Sequence, residues 1–166
     1  MAWGETFMAQ DTLIQSVTVW RIPSEHNDPS PLKFWITQID SSGTPLTHLV
    51  VLDGPTLSFT SPDSIHPTPL VYSFDPPISL PRPSSYCFWV QEVCSGYHDV
   101  LIASGVNGYK GGALWETFRS NAEGCILRAY PESFPNDDLV FTLVFCNTRT
   151  TPVRQPTWGQ VKVKYR

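Results

Sequence analysis

Hydrophobic and polar positions alternate along this chain in short runs separated by turn residues, and that rhythm predicts strands. LIQSVTVWRI (13–22) gives way to SEHNDPSP, and LKFWITQID (32–40) to SSGTP, as strands joined by tight loops would. Further runs follow at THLVVLD (47–53), LSFT (57–60), LVYSF (70–74), SYCFWVQEV (85–93), DVLIA (99–103), ALWETF (113–118), CILRAY (125–130) and LVFTLVFC (139–146). No stretch carries a convincing helical period. About ten strands without crossover helices predict an all-β fold, an antiparallel two-sheet β-sandwich of jelly-roll-like type over residues 3–147.

The side-chain pattern also ranks the strands. In the run from Ser85, Tyr86, Phe88 and Val90 fall on one face and Cys87, Trp89 and Gln91 on the other. Large apolar groups on both faces predict a central strand with Trp89 buried. The run 139–146 reads the same way, with Leu139, Phe141, Leu143 and Phe145 opposite Val140, Thr142, Val144 and Cys146. Pro76, Pro77, Pro81 and Pro83 cannot donate ladder hydrogen bonds, so the segment before Ser85 is expected to run along a sheet edge as scaffold.

Composition narrows the partners. With 16% charged residues, a net charge of −4 and a pI near 5.4, the chain offers no basic footprint for nucleic acid. No apolar run approaches the roughly 18 residues of a membrane helix. MAWGETFMAQ lacks the regions of a secretory signal, leaving a cytosolic protein or a module excised from a larger precursor. Cys87, Cys94, Cys125 and Cys146 form no CxxC pair for zinc. Cys94 and Cys125, beside glycines in loops, are expected to form a disulfide, which would point outside the cell; Cys87 and Cys146 read as core thiols.

Candidate chemistry begins at GYKGGALWETF (108–118). Lys110 precedes Gly111 and Gly112 and no Ser or Thr follows, so this is not a phosphate-cradling loop. The glycines are expected to supply a positive φ or a close backbone approach that delivers Trp115 into a strand. Ala113, Trp115 and Thr117 then oppose Leu114, Glu116 and Phe118, a pattern that does not name the buried side. GxSxG, HExxH and HxH signatures are absent, and His26, His48, His66 and His98 are isolated, so no enzyme is expected. Asp137 and Asp138, after Asn136, are hard oxygen ligands that a structural calcium ion would use.

The segments GETFMAQDTLIQSVTVW, SFDPPISLPRPSSYCFWVQ, YKGGALW and NDDLVFTLVF occur in an order that resembles extracellular bacterial jelly-roll accessory modules of galactose-binding-like type, over residues 4–146. The resemblance implies a non-catalytic extracellular or cell-surface module of a larger precursor, with a polysaccharide or glycan as its partner. A sugar site needs rigid rings and a few placed polar groups. Tyr97, His98, Asp99, Tyr109, Trp115 and Arg119 fall on loops and strand starts that a jelly roll gathers at one end. The tail, 148–166, reads as a linker followed by a basic amphipathic strand in which Val161, Val163 and Tyr165 alternate with Lys162, Lys164 and Arg166. That strand is a last edge of the same domain, a disordered end, or a segment that pairs with a neighbouring subunit. The alternative function is therefore a structural or adhesive surface subunit that self-associates through its tail.

Overall fold

The computed structural model describes residues 1–23, 31–58, 65–92, 101, 103–104, 109–117, 131–146 and 162–165. Its strands are β1 (Ala2–Met8), β2 (Leu13–Arg21), β3 (Leu32–Ile39), β4 (Pro45–Leu57), β5 (Thr68–Ser79), β6 (Ser85–Glu92), β7 (Ala103–Ser104), β8 (Leu114–Thr117), β9 (Glu132–Phe134), β10 (Asp138–Leu139), β11 (Phe141–Phe145) and β12 (Lys162–Tyr165). Among the described residues there is no helix. A six-stranded sheet runs β4-β3-β6-β1-β8-β9, a four-stranded sheet β12-β11-β2-β5, and β10 pairs with β7 alone. The ladders are antiparallel except β11–β12, which is parallel. This is the antiparallel β-sandwich that the alternation predicts.

Inward faces of the two large sheets make the core. Phe7, Phe34 and Phe88 from the six-stranded sheet meet Val17, Tyr72, Phe141 and Leu143 from the four-stranded sheet in one buried cluster. Phe34 stacks on Phe88 at 6.0 Å, and Phe88 meets Phe141 edge-on at 5.1 Å. Such pairs add roughly 0.5–1.5 kcal/mol beyond the area they bury. Tyr72, fully buried, donates its hydroxyl to the Leu32 carbonyl at 3.3 Å, and burial raises its pKa.

The six-stranded sheet is also covered on its outer face. Ala2, Trp35, Cys87 and Trp89 form a second buried cluster there, with Ile39 and Trp115 packed against it. Two indole nitrogens are satisfied within the face, Trp35 Nε1 donating to Gln91 Oε1 and Trp89 Nε1 to Thr37 Oγ1, each at 3.0 Å, while the buried Trp115 Nε1 has no partner among the described residues. Gly4 is glycine because a Cβ there would come within 2.5 Å of the Trp89 ring. Strand β6 is thus central and two-sided, as its sequence predicts, with Trp89 buried.

Other elements differ from the sequence pattern. The run 47–53 lies inside a longer edge strand, β4, which extends to Leu57 and whose pairing with β3 shifts register at three places; residues 59–60 of the run 57–60 lie outside the described residues. The run 139–146 breaks at Val140, because Leu139 pairs with Ala103 while Phe141 begins a ladder with Val19. β1 and β9 carry no separate signal in the sequence reading, and the run 125–130 lies outside the described residues. The proline segment falls where expected: β5 is an edge strand and β6 starts at Ser85. The tail strand β12 joins the opposite edge of the same sheet, pairing Thr142 with Lys162 through Phe145 with Tyr165.

Candidate ligand site

A cleft opens where three strands of the four-stranded sheet lose register together. β2 pairs with β5 continuously from Arg21↔Thr68 to Ser16↔Ser73, then resumes at Ile14↔Ile78. Gln15 therefore faces Phe74, Asp75, Pro76 and Pro77, four residues against one. On its other side β11 shifts at the same level, from Val144↔Ser16 to Phe145↔Ile14, so Gln15 has no Cα partner in either ladder. Two adjacent prolines offer no N–H to a ladder, and an edge strand is where a bulge disrupts least. The Asp75–Pro76 peptide is cis.

The cleft beside this bulge has a volume of about 600 Å³ and is lined by Gln15, Ser16, Ser73, Phe74, Asp75, Pro77 and Val144. That volume falls within the roughly 300–1,000 Å³ of small-molecule sites. Phe74, Pro77 and Val144 give the lining apolar surface, and Gln15, Ser16, Ser73 and Asp75 bring to it an amide, two hydroxyls and a carboxylate. Phe74 is half-buried, packs against the core and lies 5.6 Å from Phe34, which holds its ring from behind. The sequence reading took this proline segment as scaffold. The bulge depends on the register of two partner strands, so composition could not expose it.

Of the residues singled out in the sequence as a sugar site, Tyr109 and Trp115 are described. Tyr97, His98, Asp99 and Arg119 lie outside the described residues, as do Cys94 and Cys125. Tyr109 packs against the core between the sheets, its ring edge-on to Phe141 at 5.5 Å, and its hydroxyl accepts the Met8 N–H at 3.1 Å. Trp115 packs against the cluster on the outer face of the six-stranded sheet. The two rings pack against different apolar clusters, Tyr109 against the core between the sheets and Trp115 against the outer one. Alternation in β8 is the cause: Leu114 and Glu116 turn inward, Trp115 outward. His48 and His66 are exposed.

Gly112 answers for the glycine pair by close approach. A Cβ there would collide with the Thr6 carbonyl oxygen and stand 2.8 Å from Glu5 Oε1, while neither Gly111 nor Gly112 has a positive φ. The loop is stitched to β1 through Thr6, whose backbone N–H donates to the Ala113 carbonyl at 3.1 Å and whose Oγ1 accepts the Ala113 N–H at 2.8 Å.

Beneath that loop lie two buried carboxyls. Glu5 Oε2 accepts the Leu139 N–H at 2.9 Å, and Asp138 Oδ2 accepts the Tyr109 N–H at 2.7 Å. Burial, opposed by the Leu139 hydrogen bond and reinforced by the charge of Asp138, pushes the Glu5 carboxyl from 4.5 to about 9, so Glu5 is protonated at neutral pH. Asp138, named as a calcium ligand, is instead buried and turned to the Tyr109 backbone; Asp137 uses its backbone to accept from Leu114 N and donate to the Phe134 carbonyl. Among the described residues no three His, Cys, Asp or Glu side chains converge where a metal ion would sit. These groups tie β1, β10 and the glycine loop together. Cys87 and Cys146 are free thiols; burial, then Glu5, raises the Cys87 pKa.

No family model, no curated protein and no solved structure matches this chain. The coordinates show the β-sandwich.

Proposed function

We propose that this chain is a non-catalytic carbohydrate-binding module that holds its ligand in the cleft beside the β5 bulge, as part of a larger extracellular protein. The observation that supports this is the lining: apolar surface set among Gln15, Ser16, Ser73 and Asp75. A sugar ring has one apolar face and a rim of hydroxyls, so it matches a surface that offers both together. Asp75 is the one carboxylate among the described lining residues, whereas glycoside hydrolysis ordinarily uses a flanking pair. The cleft suits holding over cleaving.

Polysaccharide pull-down and glycan-array binding test the reading, using the wild-type chain beside Gln15→Ala and Ser73→Trp. Ser73 is exposed, so the indole fills the cleft without entering the core. Binding in the wild type that both substitutions weaken supports the proposal; a chain that binds no glycan, or binds equally well with the cleft filled, overturns it.

A second reading rests on β12. It pairs in parallel with β11 at a sheet edge, and the same register made between two chains would join subunits. Light scattering decides this: multimers that become monomers when the chain ends at Cys146 support a structural subunit, and a monomeric full chain sinks it.

A further inference from the structure

We infer that Asp75 sets the charge of the ligand: the cleft takes sugars that point hydrogen-bond donors at this carboxylate and rejects sugars that carry an acid group. This rests on the carbohydrate reading above and adds the chemistry that selects among sugars. Asp75 lies in the stretch of β5 that bulges opposite Gln15, next in the chain to Phe74, which gives the cleft apolar surface. Both side chains line one cleft, so a ligand in it meets the two together.

The carboxylate is uncommitted. Asp75 is exposed, and no hydrogen bond or ion pair within the described residues engages its side chain or those of Gln15, Ser16 and Ser73. An ionised carboxylate is acceptor-only, whereas an amide and a hydroxyl both give and take. The group that faces Asp75 must then be a donor, a sugar hydroxyl or an ammonium, while the other three side chains adapt to what remains.

Charge makes the choice one-sided. Asp75 is the only ionisable residue in the described lining, so an acid group held there meets a like charge with no cation of the lining to offset it. Register puts Lys164 beside Val144, on the far side of the cleft. β2 and β11 stand between β5 and β12, and three strand spacings are about 14 Å, beyond the screening length of about 8 Å at physiological salt. Lys164 therefore leaves the field at Asp75 negative.

The test is a glycan array holding neutral, amine-bearing and carboxylate-bearing sugars, probed with the wild-type chain, Asp75→Asn, Asp75→Lys and Ser73→Trp, each checked by thermal melt. Wild-type binding should be confined to neutral and amine-bearing glycans. Asp75→Lys should lose about tenfold on those glycans and gain carboxylate-bearing ones, with Asp75→Asn between the two. A second readout needs no substitution: whatever weak binding the wild type shows to a carboxylate-bearing glycan should rise with added salt, because salt screens the repulsion. Wild-type binding to acidic glycans that matches the neutral ones, or that falls with salt, overturns the inference. If Ser73→Trp abolishes binding while Asp75→Lys leaves the set of bound glycans unchanged, the cleft stands and the role of Asp75 fails. No binding to any glycan overturns both.

Discussion

The two large sheets share a core but treat their outer faces differently. Trp35 and Trp89, on the outer face of the six-stranded sheet, are 6% and 0% exposed and give their indole protons to Gln91 and Thr37. Trp20, on the outer face of the four-stranded sheet, is of intermediate exposure and joins neither apolar cluster among the described residues, and Val71 on the same face is 48% exposed. A tryptophan that is buried with a satisfied N–H is structural, whereas Trp20, of intermediate exposure, is held less tightly by packing. The same residue type thus has different meanings on two strands, and burial together with hydrogen bonding separates them.

Substitution of the three tryptophans sharpens that difference. Trp89→Ala should cost about 3–5 kcal/mol, the range for deleting a large buried aromatic, read as a drop in the denaturation midpoint. A loss below about 1 kcal/mol would mean that the outer cluster is loosely packed. Trp115→Ala, half-buried against the same cluster, should cost about 1–3 kcal/mol, less than full burial, and leave glycan binding unchanged. If it abolishes binding at wild-type stability, the ligand belongs on the six-stranded sheet and the cleft proposal is wrong. Trp20→Ala, at a position of intermediate exposure like Trp115, should also cost less than Trp89→Ala, about 1–2 kcal/mol.

The buried carboxyl under the glycine loop gives a pH-dependent version of the comparison. Glu5 has a folded pKa near 9 against an ordinary 4.5, so the folded state binds the proton more tightly than the unfolded state. Its contribution is full below pH 4.5 and falls as pH rises through about 9. Glu5→Gln, which keeps an acceptor for the Leu139 N–H, should flatten the stability profile across that window. Chemical denaturation at a series of pH values measures it, and an unchanged slope would show that Glu5 is ionised in the folded state.

The smallest effect is on thiol chemistry. Cys87 is buried with a raised pKa, whereas Cys146 is only half-buried. In the native protein an alkylating reagent should label Cys146 and spare Cys87 until denaturant is added. Equal labelling by peptide mass analysis would mean that the outer cluster opens readily. The same experiment without reductant tests the expected Cys94–Cys125 bond: labelling of both in the native chain removes it.

Much of the sandwich was legible before any coordinates. Alternation over 13–22, 32–40 and 85–93 located β2, β3 and β6 within a residue or two, since a half-buried pleat imposes period two on the side chains. Apolar residues on both faces marked β6 as central, and consecutive prolines marked β5 as an edge, because they withhold ladder donors. Tertiary structure decided everything that depends on a partner. Alternation assigns residues to two faces but does not say which is covered, so it could not separate Trp20 from Trp89 or set Tyr109 and Trp115 against different apolar clusters. Gly112 is dictated by the Thr6 carbonyl oxygen more than a hundred positions away in the chain. The cleft exists because β5 and β11 both lose step with β2 at Gln15. Register is a relation between strands, and a one-dimensional pattern records each strand alone.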